Sequence, residues 1–137
     1  MNVTKTREQI KLIIAANDQA DVPIDELLGN ASTIAGYMVY LQAEEAKAHR
    51  AYLMAYNSRK VAEAEYHRKN VTKGLKIGEA SNLAIEQTRG YRNAEADYEA
   101  EWKDCQTFRI VVLEYLDTLR QRISWLKKEF DNQNNQA

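Results

Sequence analysis

A stripe of apolar and small residues, spaced alternately four and three residues apart, runs through two long stretches of the chain. In the first stretch the stripe consists of Met38, Leu41, Glu45, Ala48, Tyr52, Ala55, Arg59, Ala62 and Tyr66. In the second it consists of Tyr91, Ala94, Tyr98, Glu101, Cys105, Phe108, Val112, Tyr115, Leu119, Arg122 and Leu126. A seven-residue repeat of this length is typical of helices packed lengthwise. Because a glycine-containing break separates the stretches, the stripe predicts an all-α fold built on a long antiparallel, coiled-coil-like helical hairpin.

The first half of the chain predicts one short helix and one long helix. The short helix is expected at about 6–16 and should pack at the open end of the hairpin. Asp21 precedes Pro23 and resembles a helix cap with proline in the first turn, so the long helix is expected over about 23–70. Glycine and asparagine at 29–30 leave open a break in this helix.

The second half predicts a turn followed by another long helix. Gly74 and Gly78 place the turn at about 71–78, and Glu79 supplies a first-turn carboxylate for a helix over about 79–130. The polar segment 131–137 offers nothing apolar to bury and is expected to be disordered. Residues 1–130 are therefore expected to form a single helical domain.

The position of the turn also predicts the register of the two long helices. A fold-back near Ile77 brings two oppositely charged pairs together, Glu45 with Arg109 and Arg59 with Glu95, and it sets Tyr52 near Trp102. Exposed ion pairs are worth only about 0 to 1 kcal/mol each, so their expected use is to fix the alignment. The half of the stripe nearest the turn is rich in alanine, which buries little area, so a homo-oligomer is expected to support it.

Composition excludes several classes of protein. A chain of 137 residues with 45% hydrophobic content has the size of one domain. Its 19 basic and 20 acidic side chains give a net charge of −1, so the chain as a whole has no excess of basic residues. The single Cys105 excludes an intramolecular disulfide and a thiolate zinc site and fits a reducing compartment. No apolar run approaches the roughly 20 residues of a membrane helix, and the start is polar. A soluble, cytoplasmic protein is expected.

Charge is nevertheless concentrated near the predicted turn. Residues 57–93 contain eight basic and four acidic side chains, a local charge of +4. Lysine and arginine that hold phosphates beside tyrosines that stack on bases are the elements of single-strand binding. The candidate nucleic-acid-binding residues are Arg59, Lys60, Tyr66, His67, Arg68, Lys69, Lys73, Lys76, Arg89 and Arg92. The alternative is a solvated helix end, whose cations complement the helix dipole.

The chain shows no pattern typical of catalysis. Glu63 and His67 are four residues apart and could offer two metal ligands, but no third ligand recurs at helical spacing, so no metal site is expected. Cys105 occupies a stripe position, where a small buried thiol is expected. The glycines form no phosphate-binding loop, so neither a cofactor nor an enzymatic activity is expected. Tyr40 and Tyr56 lie off the stripe and are candidates for a protein interface.

Three segments carry a resemblance to a known kind of protein: Ala-Glu-Ala-Glu-Tyr-His-Arg-Lys, Tyr-Arg-Asn-Ala-Glu-Ala-Asp-Tyr-Glu and Leu-Arg-Gln-Arg-Ile-Ser-Trp-Leu-Lys-Lys-Glu. With the turn between the first two, the chain over most of 40–130 resembles small helical-hairpin proteins that bacteriophages and prophages encode beside single-strand annealing recombinases. The resemblance implies an accessory role in phage DNA recombination or replication, in the cytoplasm of the host, and it carries no catalytic residues. An early phage protein that inhibits a host defence complex would have the same size and shape.

The function expected from the sequence is therefore non-catalytic. The protein is expected to bind single-stranded nucleic acid, or a partner bound to nucleic acid, through the basic end of the hairpin. The alternative is a protein-interaction or inhibitory module that acts as an oligomeric helical rod. A structural component of a virion or filament is a third class. No membrane or small-molecule substrate is indicated.

Overall fold

The computed structural model describes residues 2–136, which form four helices and no strand. The helices are α1 (Val3–Asn17), α2 (Ile24–Thr72), α3 (Ile77–Gln87) and α4 (Arg89–Gln136). They divide into two compact units. The first unit contains the residues up to Glu44 together with those from Gln106 onward, and the second unit is Glu45–Cys105. The all-α class is confirmed, and α2 packs against α4 as the predicted hairpin requires.

α1 begins earlier than the predicted 6–16 because Asn2 caps it. The side-chain oxygen of Asn2 accepts hydrogen bonds from the backbone N–H groups of Thr4 (2.8 Å) and Lys5 (3.3 Å). These groups have no partner inside the helix, so the cap makes a start at Val3 favourable.

α2 runs without interruption from Ile24 to Thr72, so the break considered at 29–30 does not occur. A glycine inside a helix costs about 1 kcal/mol, whereas burial of a leucine or isoleucine side chain contributes about 1.5–3 kcal/mol. Leu27 and Ile34 are fully buried on either side of the glycine, and their packing outweighs its cost. The predicted cap at Asp21 is also wrong, because the first-turn hydrogen bond runs from the Leu27 N–H to the Pro23 carbonyl at 3.0 Å.

The turn after α2 is shorter than the predicted 71–78. Gly74 has a φ of +96°, its N–H donates to the Val71 carbonyl at 3.0 Å, and the Leu75 N–H donates to the Asn70 carbonyl at 3.2 Å. This pair of bonds is a Schellman motif, which satisfies the last carbonyls of the helix and requires the left-handed conformation that glycine adopts easily. Gly78 lies inside α3 and does not interrupt the helix, while Glu79 occupies the first turn as predicted.

The helix predicted over 79–130 is two helices. Thr88 separates α3 from α4, and α4 continues to Gln136, so the expected disorder of 131–137 is wrong for the six residues that the structure describes, and Ala137 lies outside them. The Thr88 side chain is buried and its hydroxyl donates to the Ala84 carbonyl at 2.8 Å, which satisfies the polar group at the junction.

The first unit has a core formed by three helices. Its buried apolar side chains come from α1, α2 and α4: Ile10, Leu27, Ile34, Met38, Leu41, Val112, Leu116, Leu119 and Ile123. Ile10 of α1 packs in one cluster with residues of both long helices, so the short N-terminal helix packs on the hairpin as predicted.

The buried polar centre of the first unit is Asn17. Its side-chain nitrogen donates to the Tyr115 hydroxyl at 2.9 Å, and its side-chain oxygen accepts from Asn30 at 2.6 Å. Its carbonyl accepts a 2.6 Å hydrogen bond from Arg122. One asparagine therefore joins all three helices of the unit and is itself fully buried.

In the second unit, α2 and α4 run antiparallel in the predicted register. The Tyr52 ring stacks on Trp102 with 5.5 Å between centroids, and Arg59 binds Glu95 at 2.6 Å, so both predicted neighbours are confirmed. Tyr98, which the stripe predicts to be buried, is instead exposed beside this seam. The predicted pair of Glu45 with Arg109 stays a prediction.

We expect Asn17→Ala to lower the free energy of unfolding by about 1–3 kcal/mol, because it leaves the half-buried polar groups of Tyr115 and Asn30 without their partner. Urea unfolding followed by circular dichroism measures the change. Gln9→Ala, at an exposed position of the same helix, is the control and should change the stability by less than about 0.5 kcal/mol. Equal stability of the two variants would contradict a structural role for Asn17.

Candidate nucleic-acid interface

All ten residues predicted to bind nucleic acid lie in the second unit, but the structure divides their cations into two groups. Arg59 and Arg92 form an ion-pair cluster with Glu63 and Glu95. Arg59 contacts Glu95 at 2.6 Å and Glu63 at 3.1 Å, and Arg92 contacts Glu63 at 2.7 Å. The hydrogen bond to Glu95 raises the pKa of the Arg59 guanidinium above its usual value. The positive charges of this cluster are therefore balanced inside the unit.

The other six cations form what we call the cationic surface: Lys60, Arg68, Lys69, Lys73, Lys76 and Arg89. All six are exposed, and none forms an ion pair with a carboxylate among residues 2–136. Without the ion-pair cluster, the segment 57–93 keeps these six cations against three exposed carboxylates, Glu65, Glu79 and Glu86, so six minus three leaves +3. Most of the local charge found in the sequence is thus free to act on an anionic ligand.

The backbone around the turn presents two lysines of the cationic surface close together in the chain. Lys73 follows the last residue of α2, and Lys76 stands at the N-cap of α3 with φ −64° and ψ 152°. Lys76 makes no side-chain capping bond. The helix dipole stabilises a cation at a helix C-terminus, which explains the position of Lys69 in the last turn of α2. The dipole destabilises a cation at a helix N-terminus, so it does not explain the position of Lys76.

The two remaining predicted residues, Tyr66 and His67, are aromatic and have different neighbours. Tyr66 is half-buried, and its ring centre is 5.6 Å from the Lys69 ammonium. His67 faces α3, where its Nδ1 is 3.2 Å from the Ser81 hydroxyl. Ser81 and Ala84 line, with α2 residues from Arg59 to His67, a cleft of about 420 Å³. Ser81 was missed by the sequence analysis because α3 was interpreted as part of the last helix.

Asn70 fixes α3 against the end of α2. It is buried, and its side-chain nitrogen donates to the Ala80 carbonyl at 3.2 Å and to the Gln87 side chain at 2.9 Å. These two bonds hold both ends of α3 to one residue of α2. Because Lys73 and Lys76 lie in the four-residue connection between these helices, Asn70 also limits where their backbone can lie.

The two tyrosines predicted for a protein interface are each half-buried in their own unit. Tyr40 packs against the core of the first unit, where burial and then the neighbouring Glu44 carboxylate raise the pKa of its phenol. In the second unit the Tyr56 ring centre is 5.1 Å from the Arg59 guanidinium and 5.1 Å from the Lys60 ammonium. Tyr56 therefore adjoins the cationic surface through Lys60.

Within residues 2–136, no three histidine, cysteine, aspartate or glutamate side chains group closely enough to hold a metal ion. Over the same range no helix is long and apolar enough to cross a membrane. Cys105 is half-buried at the end of the second unit.

Comparisons with known proteins identify no relative of this chain. No protein-family model, no curated protein and no solved structure matches the chain. The resemblance to phage proteins therefore rests on three segments of the sequence alone.

We expect Asn70→Ala to lower the free energy of unfolding by about 1–3 kcal/mol, because the Gln87 side chain and the buried Ala80 carbonyl lose a donor. Hydrogen exchange should show faster opening of α3 than in the parent protein. Asn57→Ala, at an exposed position of α2, is the control and should leave α3 protected. Unchanged protection of α3 in Asn70→Ala would show that its hydrogen bonds do not hold that helix.

Proposed function

We propose that this protein is a non-catalytic accessory factor that binds single-stranded nucleic acid through the cationic surface of its second unit. The observation that supports this most is the set of six exposed lysines and arginines that form no ion pair with a carboxylate within residues 2–136. When lysine and arginine side chains bind nucleic-acid phosphates, the counterions bound there are released, and this release gives affinity without any preference for sequence.

An aromatic ring beside the cationic surface favours a single strand over a duplex as the ligand. The Tyr66 ring is half-buried, and its centre lies 5.6 Å from the Lys69 ammonium. Unpaired bases can stack on such rings, at about 1–3 kcal/mol per base, whereas bases in a duplex are already stacked on one another. We extend the proposal to a role in phage DNA recombination or replication, which is what the resemblance of the three sequence segments implies.

The alternative function is a protein-interaction or inhibitory module, such as one that acts on a host defence complex. It is favoured by the large apolar side chains that the second unit leaves exposed, of which Ile77 (73%) and Met54 (72%) are the most accessible. Nuclease treatment distinguishes the two functions. A protein captured stoichiometrically from nuclease-treated host lysate would favour the alternative, and capture that nuclease abolishes would favour nucleic-acid binding.

The test of the proposal is the fluorescence anisotropy of a labelled 30-nucleotide single strand, titrated with protein at several salt concentrations. If all six cations contact phosphates, the slope of log K against log salt should be about −4, since each contact on a single strand contributes about −0.7. A duplex of the same sequence should bind more weakly. A slope near zero would contradict the proposal.

The quadruple variant Arg68→Glu, Lys69→Glu, Lys73→Glu and Lys76→Glu should abolish this binding. The matched control makes the same change of charge at exposed lysines outside the second unit: Lys5→Glu, Lys11→Glu, Lys127→Glu and Lys128→Glu. The control should retain most of the affinity because only net charge, and not the cationic surface, is altered. Equal loss in both variants would mean that no defined surface binds the strand.

A further inference from the structure

Four large apolar side chains are exposed on the second unit at matching spacings. Met54 (72% exposed) and Val61 (60%) lie seven residues apart on α2, and Tyr91 (47%) and Tyr98 (43%) lie seven residues apart on α4. Seven residues are two turns, so each pair lies on one side of its helix. Because the helices are antiparallel, Met54 lies nearer the level of Tyr98 and Val61 nearer that of Tyr91.

Small residues separate these side chains. A groove of about 320 Å³ between α2 and α4 is lined by Ala51, Met54, Ala55, Ser58, Tyr91, Ala94 and Tyr98. We call these residues, together with Val61, the apolar face. Large side chains at heptad spacing with alanine and serine between them form the knobs and holes through which helices pack on one another.

The second unit lacks the layer that would cover such a face. Its buried apolar residues are three alanines, Ala62, Ala80 and Ala84. In the first unit the same two helices are covered by α1 and bury nine larger apolar side chains. Alanine contributes little apolar area, so the second unit gains more than the first from additional helices packed on its surface.

The apolar face has a cation at its edge on α2 and an anion at its edge on α4. Arg50 lies one turn before Met54 on α2, and Glu101 lies three residues after Tyr98 on α4, so each is on the same side as its neighbour. Tyr52 is level with Trp102, which sets Arg50 and Glu101 at about the same height. Both are exposed, and neither forms an ion pair among residues 2–136.

We propose that a second copy of this chain covers the apolar face. The two copies are related by a two-fold axis parallel to the helices, so that two second units form a four-helix bundle. In this arrangement α2 of one copy lies opposite α4 of the other. Met54 then packs against Tyr98 of the second copy and Arg50 faces Glu101 of the second copy, and the symmetry makes each contact twice.

The self-complementary charges favour a second copy over an unrelated helix as the occupant. A foreign helix would have to supply both a cation and an anion at the correct height, whereas the two-fold axis supplies them from the chain itself. The face is small, and a dimer through it would bury on the order of 800–1,000 Å² in total, which belongs to the weaker class of interfaces. Association should therefore depend on protein concentration.

Sedimentation equilibrium of the full chain from about 5 to 500 µM, without nucleic acid, tests the proposal independently of the proposed function. The parent protein should shift from monomer to dimer over this range. Met54→Glu with Val61→Glu should weaken association at least tenfold. Leu53→Glu with Val71→Glu, at exposed positions about 90° around α2 from the apolar face, is the matched control and should not. A monomer at every concentration, or association that survives the first variant, would overturn the proposal.

A charge exchange tests the identity and the geometry of the occupant. Arg50→Glu and Glu101→Arg should each weaken self-association by roughly five- to thirtyfold, because two attractive contacts become repulsive. An equimolar mixture of the two variants should restore association, since every contact across the mixed dimer is again between opposite charges. Circular dichroism verifies that both variants are folded. A mixture that associates no better than its components would overturn the two-fold arrangement.

Discussion

The packing of α2 against α4 is the constraint on which the rest of the second unit depends, and its register is held by charge more than by apolar burial. Within residues 45–105, the buried apolar residue that α2 and α4 contribute is Ala62, whose small side chain does little to prevent the helices from sliding past one another. Arg59 prevents this by contacting Glu95 on α4 and Glu63 on its own helix, while Arg92 contacts Glu63 from α4. A slip of one turn would separate all four groups and leave them partly buried without partners, which costs more than the pairs themselves contribute.

Much of this architecture follows from the sequence because a heptad stripe and one turn determine a hairpin's register. The neighbours Tyr52 and Trp102, and the pair of Arg59 with Glu95, were predicted in this way. Local signals were less reliable where tertiary packing outweighed them. Gly29 suggested a break that burial of its neighbours prevents, and the junction at Thr88 was missed because the hydroxyl donates to a carbonyl within the same segment and leaves no break in the apolar pattern.

The candidate site was only partly accessible from the sequence. Counting charges located the basic segment, but a count cannot separate a cation that is neutralised across a helix pair from one that faces solvent. Arg59 and Arg92 belong to the first kind, and Lys73 and Lys76 to the second. The difference depends on which carboxylates α4 brings to α2. Asn70 was missed for a related reason, since its partners lie on α3, a helix that the stripe merged into the last one.

The two proposals reinforce one another through symmetry. A two-fold axis parallel to the helices places both turns of a dimer at the same end, so two surfaces of +3 lie side by side and present +6 to one ligand. Binding of one strand to both surfaces makes the second contact intramolecular, which raises affinity without any new type of contact. A nucleic-acid strand would in turn favour the dimer, because it binds the paired surface more tightly than a single one. Weak self-association through the apolar face is then suited to a protein that assembles on its ligand and separates when the ligand is released.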